Sequence, residues 1–165
     1  MNDLNLTLPA EFISKRVVLY PEELSWGFAN GLVTSDAAIA LTTSYLSQGV
    51  QLSEAEDKLA MLLPDDAEEA PEILRTVPKE SGERDVRKAW TYLVLAWIYE
   101  NRQQLSDPLS TVEHAIVELG YPEEVRSLLR WMPLEPGQEP GMKALEERWR
   151  SYLENASEEF QARKR

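Results

Sequence analysis

Apolar residues recur every three or four positions along most of this chain, whereas strict alternation of apolar and polar residues is nearly absent. The first spacing lines one face of an α-helix, and the second would indicate a half-buried strand. The pattern therefore predicts an all-α fold. The β-branched stretch RVVLY, residues 16–20, is interpreted as an extended lead-in, because a strand without a partner cannot form a sheet.

Helix start and stop signals divide this pattern into about seven helices. Pro-Glu-Glu starts, a capping box at Ser53 and Glu56, and glycines after the last apolar residue set the boundaries. The predicted helices are 21–30, 35–48, 53–63, 84–105, 107–119, 122–131 and 141–163, with a weaker helical turn over 66–77. A loop is predicted over 78–83, and the Pro/Gly-rich stretch 133–141 predicts a longer one.

The apolar faces of these helices predict the core. Residues 89–99, AWTYLVLAWIY, form the longest apolar run, which is far shorter than the ~20 residues that cross a bilayer and therefore indicates a buried core helix. The broad apolar face of the 84–105 helix predicts that it lies at the centre of the fold. The last helix carries a stripe that needs a surface to dock on. The predicted core positions outside the central helix include Leu59, Leu62, Leu63, Val125, Leu128, Leu129, Met132, Met142, Leu145, Trp149, Tyr152, Leu153, Ala156 and Phe160.

Composition is consistent with one domain, residues 1–165, ending in a docked helix. A chain of 165 residues with 43% apolar content buries roughly two-thirds of its unfolded surface. The absence of cysteine excludes disulfides, thiolate nucleophiles and cysteine-ligated metals. The N-terminal stretch MNDLNLTLPAEF lacks a basic segment before an apolar one, so we expect no secretory signal and a cytoplasmic location.

Charge changes this picture more than composition does. Seventeen basic and 29 acidic side chains give a formal net charge of −12, which repels nucleic-acid phosphates and anionic membranes. We therefore expect a protein partner and neither a nucleic acid nor a membrane. The charge is also segregated, because residues 51–72 carry a net −7 while 73–105 and 141–165 are slightly positive.

Residues 51–72, which we call the acidic segment, allow two interpretations. Its carboxylates are either solvated helix-start residues or a docking surface for a basic partner, where clustered charge accelerates association. Tryptophans in short helices are the second group of candidates, since exposed tryptophans often anchor interfaces. The hypothetical partner-binding residues are Glu54, Asp57, Asp65, Asp66, Glu68, Glu69, Glu72, Trp26 and Trp131.

Enzyme chemistry has little support in the sequence. The single histidine, His114, lies slightly off its helix's core stripe, and no metal-binding or phosphate-binding motif is present. No predicted helix places a carboxylate among its apolar residues; Glu100 comes nearest and is expected to be solvated or paired with an arginine. We therefore assign no catalytic, cofactor-binding or metal residue. A hydrolase using carboxylates and magnesium is the third functional alternative.

Two stretches carry a family resemblance. Residues 23–39, ELSWGFANGLVTSDAAI, and residues 120–133, GYPEEVRSLLRWMP, resemble an uncharacterised family of small bacterial proteins, a domain of unknown function. The resemblance implies that a few residues of these stretches determine the fold rather than bind a partner. These residues are Trp26, Gly27, Asn30, Gly31, Tyr121, Pro122, Trp131 and Pro133.

Such families are similar, in size, acidity and lack of catalytic residues, to immunity proteins that neutralise polymorphic toxins. The resemblance thus implies a non-catalytic binding protein that occludes a basic toxin, often a nuclease. The alternative is a structural or adaptor protein of unknown partner, with a homodimer formed through the terminal helix.

Overall fold

The computed structural model describes residues 5–79 and 84–165, and every regular element in those ranges is helical, which confirms the all-α prediction. The first four residues, and residues 80–83 of the loop predicted over 78–83, lie outside the described ranges. The α-helices are α1 (Ala10–Ser14), α2 (Pro21–Ala29), α3 (Ser35–Ser47), α4 (Glu54–Ala60), α5 (Ala70–Arg75), α6 (Arg87–Glu100), α7 (Pro108–Glu118) and α8 (Met142–Gln161). Short 3-10 helices occupy Pro64–Glu69, Arg102–Gln104 and Glu123–Leu128.

Local sequence signals set most helix starts. Thr34 caps α3, its hydroxyl accepting a hydrogen bond from the Ala37 amide at 3.1 Å. Asp107 caps α7 in the same way for the Ser110 amide at 3.2 Å. These side chains satisfy amides that have no partner within the helix, which explains why the predicted starts agree with the observed ones.

The segment predicted as a helix over 122–131 is shorter and tighter than expected. Its backbone follows 3-10 geometry, with the Val125 amide bonded to Pro122 at 3.2 Å and the Leu129 amide to Arg126 at 3.1 Å. Three residues per turn bring Val125 and Leu128 to the same buried side. The chain then becomes extended at Leu129, which leaves Met132, predicted to lie in the core, partly exposed.

Helix α6 forms the centre of the fold, as predicted, although it is shorter than the predicted 84–105. It buries nine of its 14 residues and packs against α2, α7 and α8. A second group of helices surrounds α3, which contacts α1, α2, α4 and α5. The sequence did not predict α1, whose Phe12 meets Trp97 of α6 edge-on at 5.0 Å.

Helix α8 docks through its predicted apolar stripe. Trp149 is fully buried and donates its indole N–H to the Leu95 carbonyl of α6 at 3.3 Å. Phe160 stacks on Tyr92 with ring centroids 5.4 Å apart. Met142, expected to belong to this stripe, is 66% exposed, because it is the first residue of the helix and follows Gly141 at a φ of 107°.

A close helix approach at Gly27 fixes α2 on α6. The indole N–H of Trp90 donates to the Glu23 carbonyl of α2 at 2.8 Å, and the Trp90 ring lies directly under Gly27. A Cβ at position 27 would come within 2.0 Å of the ring. Glycine is therefore required there by space and not by backbone conformation.

Substitution Gly27→Ala should destabilise the protein. Alanine in place of glycine within a helix ordinarily stabilises it by about 1 kcal/mol, whereas overpacking a buried ring costs about 1–3 kcal/mol. Urea unfolding should therefore show a lower midpoint. The same substitution in a Trp90→Phe background should cost less, and an equal cost in both backgrounds would contradict the steric explanation.

Candidate functional site

The acidic segment lies on three short consecutive elements: α4, the 3-10 helix Pro64–Glu69 and α5. All three pack against α3, so the carboxylates stand on a helical support. Asp65 and Asp66 occupy the first turn of the 3-10 helix, directly after Pro64. Negative charge is favourable at such a start, where backbone amides point outward.

The candidate acids differ in whether a basic residue neutralises them. Glu54 pairs with Lys58 at 3.3 Å, and Glu72 pairs with Arg75. Within residues 5–79 and 84–165 the other candidate acids form no ion pair, and all but the half-buried Asp66 are exposed. These unpaired acids are Asp57, Asp65, Asp66, Glu68 and Glu69.

Two large apolar side chains are exposed in the same segment. Met61 is 81% exposed and Leu63 is 66% exposed, although Leu63 was predicted to lie in the core. Helix α4 ends at Ala60, and Pro64 restricts Leu63 to an extended conformation, so Leu63 no longer follows the helical stripe. We call the unpaired acids together with Met61 and Leu63 the acidic surface.

Glu56, the remaining acid of α4, is not part of this surface. It is fully buried, as is Glu23 of α2. Each is the third residue of its helix, and its carboxylate accepts a hydrogen bond from the backbone amide of the residue that precedes the helix. The Ser53 N–H donates to Glu56 at 2.9 Å, and the Tyr20 N–H donates to Glu23 at 2.7 Å. Both carboxylates therefore cap their own helices from inside the protein.

Two arginines that follow α8 reach these buried carboxylates. Arg163 binds both oxygens of Glu23, at 2.6 and 3.2 Å, and Arg165 binds both oxygens of Glu56, at 2.7 and 3.0 Å. The same guanidinium groups donate to the Val18 carbonyl at 3.0 Å and the Leu19 carbonyl at 2.7 Å. We call Arg163, Arg165, Glu23 and Glu56 the arginine clasp.

The surroundings of the clasp are also fully hydrogen-bonded. Buried Tyr45 accepts from the Leu19 amide at 3.0 Å and donates to the Val17 carbonyl at 2.9 Å. Burial raises the pKa of the Tyr45 phenol. Burial is the largest single influence on Arg165 and opposes its charge, but the hydrogen bonds and negative charge of Glu56, together with the nearby Tyr45 and Tyr20, outweigh it, so the pKa of Arg165 is raised. In the described parts of the chain, every buried side-chain nitrogen or oxygen has a partner.

The clasp corrects the expectation that no helix carries an inward-facing acid. Glu23 and Glu56 face inward, and Glu113 of α7 is also buried, paired with Arg130. The capping-box spacing indicated a local role for Glu56, but no local pattern indicates an arginine partner 109 residues away. Glu100 is exposed and paired with Arg16, as expected.

Neither candidate tryptophan belongs to the acidic surface. Trp26 is half-buried on α2 and packs against the core. Trp131 is 57% exposed, in a segment that follows the 3-10 helix Glu123–Leu128, which packs on α7 and α8. The acidic surface packs on α3, whereas Trp131 follows an element packed on α7 and α8 and Trp26 packs against the core, so the structure does not assemble the candidate residues into one site.

The remaining candidates for chemistry are the histidine and the possible metal ligands. His114 is half-exposed, with its Nε2 3.5 Å from Glu118. Among the residues described, no group of three or more histidine or carboxylate side chains is arranged to hold a metal ion. No helix in those parts of the chain combines the length and apolarity needed to cross a bilayer.

Comparison with known families places most of the chain within one family model. A family model described as an uncharacterized protein conserved in bacteria (DUF2247) matches residues 10–157. The chain belongs to the DUF2247 family. Comparisons with curated proteins and with solved structures found no match for this DUF2247 member.

Both stretches that carried the family resemblance lie within the DUF2247 match. In the first, Gly27 permits the contact with Trp90 described above. In the second, Tyr121 has a φ of 56°, a left-handed conformation that bulky side chains rarely adopt, and its amide donates to the Ile116 carbonyl at 2.9 Å. These contacts give a structural role to two of the residues that the resemblance implied as fold determinants. The clasp arginines of this DUF2247 member lie beyond residue 157.

Removing one side of the clasp should strongly destabilise this DUF2247 protein. Arg165→Met leaves the buried Glu56 carboxylate without its guanidinium, a change that typically costs about 3–5 kcal/mol. Guanidinium unfolding measures the loss. The control is Arg150→Met, because Arg150 is exposed on α8 and its ion pair with Glu154 is long, at 3.8 Å. Equal stability of the two variants would show that the clasp contributes nothing.

Proposed function

We propose that this protein is a non-catalytic binding protein whose acidic surface docks onto a basic protein. The more specific form of the proposal is an immunity protein that neutralises a basic toxin by covering its working surface; a cytoplasmic location belongs to the same proposal. The observation that carries it is the exposure of Met61 and Leu63 among five acids that no basic residue of the described chain neutralises.

The arrangement of charge supports this proposal. Like charges held close together repel one another, and a basic partner would turn that repulsion into attraction. The other two exposed acids of the segment, Glu54 and Glu72, already pair with Lys58 and Arg75. The unpaired acids are thus the ones for which an external cation brings the largest gain.

The exposed apolar side chains support a docking surface over a merely solvated one. Methionine and leucine gain roughly 1.5–3 kcal/mol when fully transferred from water into an apolar contact. Apolar anchors surrounded by charge are the usual composition of an interface centre and its rim. Met61 and Leu63 would supply the anchors and the acids would supply orientation.

A nuclease is the partner class that suits this chemistry best. Its active surface is basic because it binds nucleic-acid phosphates, and carboxylates placed at those positions would block substrate by occupying the same guanidinium and ammonium groups. Binding would then inhibit without any catalytic residue in this chain.

The alternatives have less support from the geometry. A homodimer through the terminal helix would have to expose Trp149 and Phe160, which are buried within one chain. A hydrolase acting through the buried acids of α2 and α4 would need one of them free, whereas Glu23 and Glu56 are bound to arginines and to backbone amides.

Charge reversal on the acidic surface tests the electrostatic part of the proposal. The basic partner is sought in the neighbouring gene, as the toxin-like C-terminal domain of its product, and association is measured by stopped flow. Replacing four acids of the surface with lysine should slow association by about 10-fold or more and flatten its salt dependence. The four are Asp57, Asp65, Glu68 and Glu69. The control has lysine at Glu135, Glu139, Glu146 and Glu158, exposed acids elsewhere. Equal kinetics for both variants would remove this surface from consideration.

Truncation of the anchors tests the apolar part. Replacing Met61 and Leu63 with serine should leave the association rate nearly unchanged and increase the dissociation rate, since anchors act after encounter. The matched control is Leu46→Ser, an exposed leucine of α3 outside the proposed surface. A dissociation rate equal to that of the control would assign the binding to other residues.

A further inference from the structure

An apolar pocket of about 270 Å³ lies between the 133–141 loop, α7 and α8. Its deeper wall consists of buried leucines and its rim of partly exposed side chains. The leucines are Leu109, Leu129 and Leu145, and the rim includes Met132, Leu134 and Met142. Its volume is just below the roughly 300–1,000 Å³ typical of ligand pockets, which indicates a small occupant.

The charged residues that line this pocket are two arginines, with no carboxylate among the lining residues. In a chain of net charge −12 this is an unusual local balance. Arg130 is neutralised, because it pairs with the buried Glu113 of α7 and bonds the Ser110 hydroxyl at 3.0 Å. It therefore contributes little free positive charge.

Arg148 differs from Arg130 in its partners. It donates to two backbone carbonyl oxygens, that of Ser127 at 3.3 Å and that of Glu139 at 2.9 Å. It forms no ion pair with any residue in 5–79 or 84–165. A guanidinium group has five N–H donors, so Arg148 is held in place by the backbone and still has donors and charge to offer.

A larger groove of about 760 Å³ on the other side of Arg148 has the opposite character. Glu124, Glu139 and Glu147 line it, and its lysine, Lys88, pairs with Glu159 at 2.8 Å. An anion is repelled there and attracted to the apolar side. The charge distribution around Arg148 thus selects the smaller pocket for an anionic group.

We propose that this pocket binds a small amphiphile with a short apolar chain and an anionic head group. The chain would lie along the leucines and under Met132 and Met142, and the head group would bind the Arg148 guanidinium. Hydrogen bonds to the Ser127 and Glu139 carbonyls hold Arg148 at the pocket. Since Met132 and Met142 line the same pocket, a ligand there would also cover these exposed side chains. This site is separate from the acidic surface and does not depend on the function proposed above.

Methionine methyl NMR tests the proposal directly, because the chain has only four methionines. Met132 and Met142 line the pocket, while Met61 lies on the acidic surface and serves as an internal control. The probes are octanoate, kept below its micelle concentration, and octylammonium, which has the same chain and the opposite charge. Octanoate should shift the Met132 and Met142 signals saturably and leave Met61 unchanged.

The expected preference for octanoate over octylammonium is about 10-fold or more, as a charge-assisted hydrogen bond to Arg148 would give. Arg148→Gln should abolish the preference, and Arg150→Gln, on the same helix but outside the pocket, should retain it. Equal affinity for the two probes on the unaltered protein would overturn the proposal, whatever the variants do. Shifts of all methyl signals that grow linearly with octanoate concentration and do not saturate would overturn it too.

Discussion

The buried ion pairs of the arginine clasp are the interaction on which the packing of this protein depends. A carboxylate removed from water costs several kcal/mol unless charge and hydrogen bonds replace its hydration. Glu23 and Glu56 receive part of that replacement from the starts of α2 and α4, whose amides they cap, and the rest from Arg163 and Arg165. Helix α8 is thereby tied to two helices of the other group as well as to α6. Compensation of these two buried charges therefore fixes the position of α8 relative to both α2 and α4.

Local physics explains why most of the fold was predictable. Caps such as Thr34 and Asp107 act within three residues, and the apolar run of α6 is so dense that a central position was its only stable solution. Errors arose where a short element replaced a long one. The segment after Pro122 takes 3-10 geometry, and Leu63 leaves its helical stripe because Pro64 follows it. Both changes are local departures from α-helical geometry, which the apolar periodicity alone does not reveal.

The candidate site was predictable in part. Charge segregation located the acidic segment, since charge counts need no structure. Which acids are neutralised was not predictable, because pairing depends on geometry: Glu54 meets Lys58 one turn away, whereas Asp57, on the same helix, has no basic partner in the described chain. The burial of Glu56 was also hidden, since its compensating arginine lies 109 residues away. The apolar pocket escaped prediction for the same reason, as its walls come from three separate parts of the chain.

The sequence separation within the clasp also has a consequence for biosynthesis. Arg163 and Arg165 are translated after every helix they close upon, 140 and 109 residues behind Glu23 and Glu56. At ribosomal rates of roughly 5–20 residues per second, Arg165 is synthesised on the order of 5–20 s after Glu56. Throughout that interval the group of helices around α3 holds two carboxylates that it cannot bury without cost. Closure of the clasp on α2 and α4 therefore follows the synthesis of α8 and cannot assist the earlier folding of these two helices.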